Sequence, residues 1–239
     1  MEETCEEVCF LVDNGSVRAH AALFTRKLAA RLETASGMRV IASSVAHSHR
    51  IPEGELRGVP VPLLAETLDC WCQRAGLRRV FIVPLMLVTG GAIYRKARSI
   101  VEARARQWPT LRFAMSPGLA DCQGQGDQTG DTPIASLLAG QVRSAGRDRD
   151  LRRSRVIVVD HGSPFPRAGE VRNQVAAAVA ECLRGEVESV VASSMERREG
   201  AKFDFNEPLL ERALVEAAKA NLHHALVARL FLQPGKHSG

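Results

Sequence analysis

Aromatic residues are scarce: eight Phe, two Trp and one Tyr make up 5% of 239 residues. That scarcity argues against a nucleic-acid binder that stacks bases on aromatic rings. Long apolar runs are missing as well. The longest, Val80–Val88, has nine residues with a Pro inside, far short of the roughly 20 that a membrane-spanning helix needs. The acidic start Met1-Glu2-Glu3-Thr4-Cys5-Glu6-Glu7 is unlike a secretory or transit leader. The expectation is therefore a cytoplasmic protein with no membrane segment and no nucleic-acid partner. Cysteines 5, 9, 70, 72, 122 and 182 are scattered, and neither close pair has the company of a zinc site. Ordinary reduced thiols are the simplest reading; a redox or iron–sulfur role for Cys5 and Cys9 is the rival.

The remaining composition is that of a globular chain, 45% hydrophobic and 25% charged, with a net charge of +5. Such a length holds one large or two small α/β domains, each with its own core. Much of the Arg excess lies in Arg143–Arg155. It reads either as a solvated linker or as part of a basic balance suited to a polyanionic small molecule.

Val156-Ile157-Val158-Val159-Asp160-His161-Gly162-Ser163 organises the rest. Four β-branched residues run into a turn signal, which predicts a buried parallel strand with His161 at its carboxyl end. Open α/β sheets bind their ligands at that rim. A helix is expected from about Gly169 to Leu183. Earlier in the chain, strands are predicted at Val8–Asp13, Met38–Val45, Val80–Val88 and Leu111–Met115. Helices are predicted at Ala19–Thr34, Pro62–Ala75 and Ile93–Gln107, with a loop at Ser48–Val59. This alternation specifies a parallel sheet with right-handed crossovers. Cys122–Thr132 reads as loop, Ile134–Ser144 as helix and Gly146–Ser154 as an exposed linker.

The pattern then repeats. Leu11-Val12-Asp13-Asn14-Gly15-Ser16 matches Val158-Val159-Asp160-His161-Gly162-Ser163, and Ala42-Ser43-Ser44-Val45-Ala46 matches Ala192-Ser193-Ser194-Met195-Glu196. Asn14 to Ala92 spans 78 positions and His161 to His237 spans 76. The chain is thus an internal duplication of a roughly 120-residue unit, with lobes at 1–120 and 155–239 and a connection at 121–154. The copies differ where three strands end. The second has His161, Glu196 and His237; the first has Asn14, Ala46 and Ala92. Two His and a carboxylate on one rim suit a divalent transition metal with open positions.

Plainer readings compete. A lone His after a strand is ordinarily structural, but two His and a Glu at equivalent strand ends favour a site. Glu196 can equally be an acid paired with Arg in a solvated run, with Asp204 and Glu207 as nearby substitutes. His223 and His224 read as an exposed helix-to-strand turn, and His47 and His49 as loop residues. Ser16 and Ser163 are most simply turn or cap residues, although the helix N-termini beyond them can hold carboxylates or phosphate.

At these residues the chain resembles the class II tetrapyrrole chelatases, the CbiX/SirB type of sirohydrochlorin cobalto- and ferrochelatase. The resemblance rests on His161-Gly162-Ser163, on Pro234-Gly235-Lys236-His237 after an apolar strand, on Glu196, and on Asn206-Glu207-Pro208-Leu209-Leu210. It covers both halves and leaves out mainly Cys122–Ser154. It implies two tandem chelatase-like (flavodoxin-like) parallel-sheet lobes. It also implies ATP-independent insertion of Co²⁺ or Fe²⁺ into sirohydrochlorin or a related anionic tetrapyrrole. His161, His237 and Glu196 would be metal ligands and proton acceptors. Ser163 and Arg167, with Arg197, Arg198 and Lys236, would meet the substrate's carboxylates. No permanently bound cofactor is implied; the metal is a substrate. The second copy lacks counterparts of the helix and strand in Ile93–Met115, so an incomplete second lobe is expected, with a homodimer as one way to complete it. A non-catalytic metal or tetrapyrrole carrier using the same His pair is the alternative.

Overall fold

The structure is a computed structural model that describes residues 6–121 and 132–232. The chain divides into two compact units, one reaching to Cys122 and the other spanning Gln123–Phe231.

The first unit is a four-stranded parallel sheet in the order β2-β1-β3-β4. Its strands are β1 (Glu7–Asp13), β2 (Arg39–Ser44), β3 (Arg79–Pro84) and β4 (Arg112–Met115). The central strand β1 is buried from Val8 to Asp13, as expected of a parallel strand covered on both faces. The connections run through α1 (Ala19–Ser36), α2 (Leu64–Cys72) and α3 (Ala92–Gln107). Phe10, Val80 and Ile82 pack on one side of the sheet with Leu64, Leu68, Trp71, Ala97 and Val101 from α2 and α3. Phe10 and Trp71 meet edge to face, with ring centroids 6.4 Å apart.

Three expectations shift at their edges. The third strand stops at Pro84 rather than Val88, because its last register partner on β1 is Val12 and β1 itself turns at Asn14-Gly15. The second helix runs Leu64–Cys72 rather than Pro62–Ala75, because Leu63 is extended and makes a bridge to Ser44. The Ser48–Val59 loop contains 3₁₀ turns at Ser48–Arg50 and Glu53–Leu56. They bury Ile51 and Leu56 beside Ala22 and Val61.

The second unit repeats the plan with a three-stranded sheet, order β6-β5-β7, built from β5 (Ser154–Asp160), β6 (Ser189–Ser194) and β7 (His224–Arg229). Helix α4 (Pro133–Ala145) starts with Thr132 capping Ala135 N–H and Pro133 in the first turn, and it packs on β7 and on α5 (Pro166–Cys182). Helix α5 begins three residues before the expected Gly169, since Pro166 occupies the first turn, where a missing N–H costs nothing. Helix α6 (Leu210–Lys219) precedes β7. The Arg143–Arg155 run is held at both ends. Arg143 makes a two-point bond to Glu186 at 2.9 and 2.7 Å and donates to Cys182 O. Ser154 is buried and opens β5. His224 likewise begins a strand rather than lying in a turn.

The two units cover equivalent residues differently. Ile82, opposite Phe10, is 1% exposed, whereas Val227, opposite Ile157, is 42% exposed. Leu68 on α2 is fully buried and Leu214 on α6 is 38% exposed. In the first unit α3 covers that face; among the described residues of the second unit no helix takes its place. No helix among the described residues is long and apolar enough to cross a membrane.

Ile82→Ala is expected to cost about 2–5 kcal/mol, and Val227→Ala less than about 1 kcal/mol, when both are compared by urea denaturation. A second prediction concerns the thiols. Burial, reinforced by the Asp69 carboxylate, pushes Cys72 up to about 11, and burial also raises Cys9. At pH 8 the reactive thiolate of Cys72 is therefore about one part in a thousand. Iodoacetamide at that pH should alkylate exposed Cys70 first and leave Cys9 and Cys72 unmodified until denaturant is added, as peptide mass spectrometry would read.

Candidate functional site

Strand β5 delivers Asp160 to the rim and His161 just beyond it. Gly162 then takes φ +86°, and a Cβ there would lie 1.9 Å from the carbonyl oxygen of Glu196. Only glycine allows that approach and that left-handed turn. The contact brings the ends of β5 and β6 together: Met195 N–H donates to Asp160 O at 2.9 Å and Glu196 N–H to His161 O at 3.2 Å. Thus two of the predicted site residues, His161 and Glu196, are joined through their backbones, and both are exposed. The His161 ring stacks flat on Phe231, with centroids 4.1 Å apart and planes 1° from parallel. That stacking sets the plane in which the imidazole nitrogens lie.

Asp160 serves the turn. Its Oδ1 accepts from Gly162 N–H at 3.0 Å and from Ser194 Oγ at 2.6 Å. Beneath it lies Arg172, 1% exposed, with Nη1 3.8 Å from Asp160 Oδ1. Burial lowers the Arg172 pKa from its ordinary value, and Asp160 offsets part of that effect; the group remains a cation at any working pH. Ser163 N–H donates to Asn206 Oδ1, and Asn206 Nδ2 donates back to Ser163 O, both at 3.0 Å. The Ser163 hydroxyl oxygen accepts from Phe165 N–H at 3.0 Å, the turn role expected of this residue type.

The expected cations have partners of their own. Arg167 pairs with Glu170 at 3.1 Å. Arg197 binds Asp204 and lies 3.4 Å from Glu207, so these two acids neutralise Arg197. Arg198 lies 6.0 Å from the Phe203 ring. His237 and Lys236, like Cys5 and Cys122, fall outside the described residues. Among the described residues no group of three His, Cys, Asp or Glu comes together to hold a metal ion.

The first unit has the same skeleton. Val45 N–H donates to Asp13 O at 2.9 Å and Ala46 N–H to Asn14 O at 3.2 Å. Gly15 takes φ +89°, with an added Cβ 1.5 Å from Ala46 O. Leu85 N–H donates to Val12 O as Leu230 N–H does to Val159 O, which makes Met86 the counterpart of Phe231. So Asn14, Ala46 and Met86 stand where the second unit has His161, Glu196 and Phe231.

The fold was compared with solved structures. It is similar to the sirohydrochlorin chelatase SirB from Bacillus subtilis subspecies spizizenii in complex with cobalt (TM-score 0.54, 12% identity, 94% of this chain and 87% of that one). It is also similar to SirB from Bacillus subtilis with Fe³⁺ (TM-score 0.56, 13% identity, 96% and 90%). The chain has the chelatase fold. At the level of sequence no family model matches, and no curated protein matches either.

Arg172 and Phe231 are site-supporting residues beyond those singled out from sequence; Asp160 and Asn206 stood there only within longer motifs. Arg172 stands on the stripe Arg172, Val175, Ala176, Val179 of α5, all of it buried. Within this chelatase fold the rim of the second unit offers an oriented imidazole, able to accept a proton or a metal near pH 7, and a carboxylate on the adjoining backbone.

Gly162→Ala is expected to destabilise the protein by at least about 1–2 kcal/mol from the left-handed backbone alone, with the collision against Glu196 O adding to it. Gly15→Ala should behave alike, and urea denaturation of both variants checks the equivalence of the two turns.

Proposed function

We propose that this chain is a class II chelatase whose second unit inserts a divalent metal, Co²⁺ or Fe²⁺, into sirohydrochlorin or a related anionic tetrapyrrole, without ATP and in the cytoplasm. One observation carries the reading. In a chain of chelatase fold, the second unit alone has an imidazole at the carboxyl end of its central strand, stacked on Phe231, where the first has Asn14 and Met86. The similar solved structures, one in complex with cobalt and one with Fe³⁺, support the metal class.

The chemistry asks for weak, exchangeable ligands and for proton acceptors. The metal enters as a dication, and two pyrrole N–H protons leave as it binds, so the charge of the ring and metal together balances. A neutral imidazole suits both tasks near pH 7. His161 would hold the metal and accept a proton, with His237 as the second imidazole and Glu196 as ligand or proton acceptor. Metal held by few protein ligands keeps positions open for the ring nitrogens. The substrate's carboxylates would meet Arg167, Arg197, Arg198 and Lys236. For Arg197 they would compete with Asp204 and Glu207.

The test mixes the protein with sirohydrochlorin and Co²⁺ without ATP and follows absorbance against a no-enzyme blank. Multiple turnovers are expected. His161→Ala and His237→Ala should each lower the rate by about 100-fold or more, with a smaller loss for Glu196→Ala. A wild-type rate equal to the blank, with metal retained only when both His are present, would instead establish a carrier.

A further inference from the structure

Arg172 lies beneath the rim and faces no solvent, so it touches no substrate. Its five N–H donors are nevertheless all engaged. Nε and Nη2 donate to Asn173 Oδ1 at 3.1 and 2.9 Å. Nη2 also donates to Phe205 O at 2.9 Å, and Nη1 to Ser194 Oγ and to Asn206 O, the latter at 3.3 Å. Ser194 in turn donates to Asp160. Three separate stretches of chain therefore converge on one guanidinium: the end of β5, the end of β6, and the 3₁₀ turn Ala201–Asn206. Asn206 carries the connection onward, since it exchanges two bonds with Ser163 and donates to Phe203 O at 3.1 Å. Gly169 adds to the fit: a Cβ there would lie 2.9 Å from the Phe205 ring, so α5 lies close against this turn.

The first unit shows what the fold needs without this device. Thr25 lies 12 residues after Asp13, as Arg172 lies 12 after Asp160. Thr25 Oγ1 donates to Asp13 Oδ2 at 2.7 Å and to Ala21 O at 3.2 Å. There a short hydroxyl supplies one bond to the aspartate and otherwise turns back to its own helix. The long, forked side chain of Arg172 goes further and ties the aspartate to Ser194 and to the backbone of Phe205 and Asn206.

We propose that Arg172 is a positioning residue for the second-unit site: it locks the His161 turn, the end of β6 that leads to Glu196, and the Phe203–Asn206 segment into one rigid body. This rests on the chelatase reading for what the site does, but not for the lock itself.

The experiment compares wild type with Arg172→Thr, which imports the first unit's pairing, and with Arg172→Lys, which keeps the charge but not the fork. Amide hydrogen exchange, which reads local opening, is measured on all three, alongside insertion of Co²⁺ into sirohydrochlorin. In wild type, residues 161–163, 195–197 and 203–206 should open together, with one common dependence on denaturant. In both variants exchange in these segments should rise by about 10-fold or more, with Val156–Val159 and the first unit unchanged. The kcat for insertion should fall by about 10- to 100-fold with KM little altered, as misplaced reacting groups require. Independent opening of the three segments in wild type, which needs no variant, would overturn the lock. A kcat equal to wild type in a variant with loosened segments would overturn the positioning role. If wild type inserts no metal, the chelatase reading fails, while the exchange pattern still decides the lock.

Discussion

The rim of each sheet depends on one close backbone approach. At Gly15 and at Gly162 the chain turns with positive φ against the carbonyl oxygen of the residue two positions past the neighbouring strand. Any side chain there would occupy the space of that oxygen. The approach is what lets Ala46 N–H reach Asn14 O, and Glu196 N–H reach His161 O, at the same 3.2 Å. Whatever residue precedes the glycine is thereby held beside whatever residue stands two positions past the neighbouring strand. The fold thus provides a fixed pair of positions, and the side chains at those positions decide what the pair can do.

The two copies keep the backbone bonds and change the side chains. Asp13 and Asp160 both close the central strand, and the buried bridges Ser44–Leu63 and Ser194–Leu209 match. What diverges is chemistry at the rim and cover on one face. His161, Glu196 and Phe231 give the second unit polar, titratable and aromatic groups where the first has Asn14, Ala46 and Met86. On the face, Ile82 and Leu68 lie under α3 in the first unit, while Val227 and Leu214 remain partly open in the second.

The strands, their order of appearance and the duplication are legible in the amino-acid sequence because they follow from patterns that physics makes obligatory. A buried parallel strand has to be apolar, and a left-handed turn pressed against a neighbouring carbonyl oxygen has to be glycine. Boundaries are less legible. Apolar residues continue past Pro84 after the partner strand has turned away, so hydrophobicity alone overruns the strand end. Prolines 164 and 166 look like turn punctuation, yet Pro166 begins α5. His161 and Glu196 stand out because their first-copy counterparts are inert. Phe231 does not, because its counterpart Met86 is equally apolar and both read as core. Arg172 hides for the opposite reason: a charge on a helix is ordinarily solvated, and only the three-dimensional convergence of Asp160, Ser194, Phe205 and Asn206 gives it enough partners to be buried.

That convergence explains why the costlier residue stands in the second unit. Burying a guanidinium beside one carboxylate is at best a modest source of stability, because the desolvation of both ions offsets their attraction. Thr25 meets the equivalent aspartate, Asp13, in the first unit and adds no second charge to desolvate. The arginine therefore makes sense as a source of geometry: three of its donors reach Ser194, Phe205 and Asn206, and Ser194 carries the link on to Asp160, whereas the hydroxyl makes one bond to its aspartate. The first unit has Asn14 and Ala46 at the two positions that carry His161 and Glu196, so it has no such pair there to hold in register. In the second, His161 is attached to one of the tied segments and Glu196 to another, so the arrangement of the two follows from the buried cation beneath them.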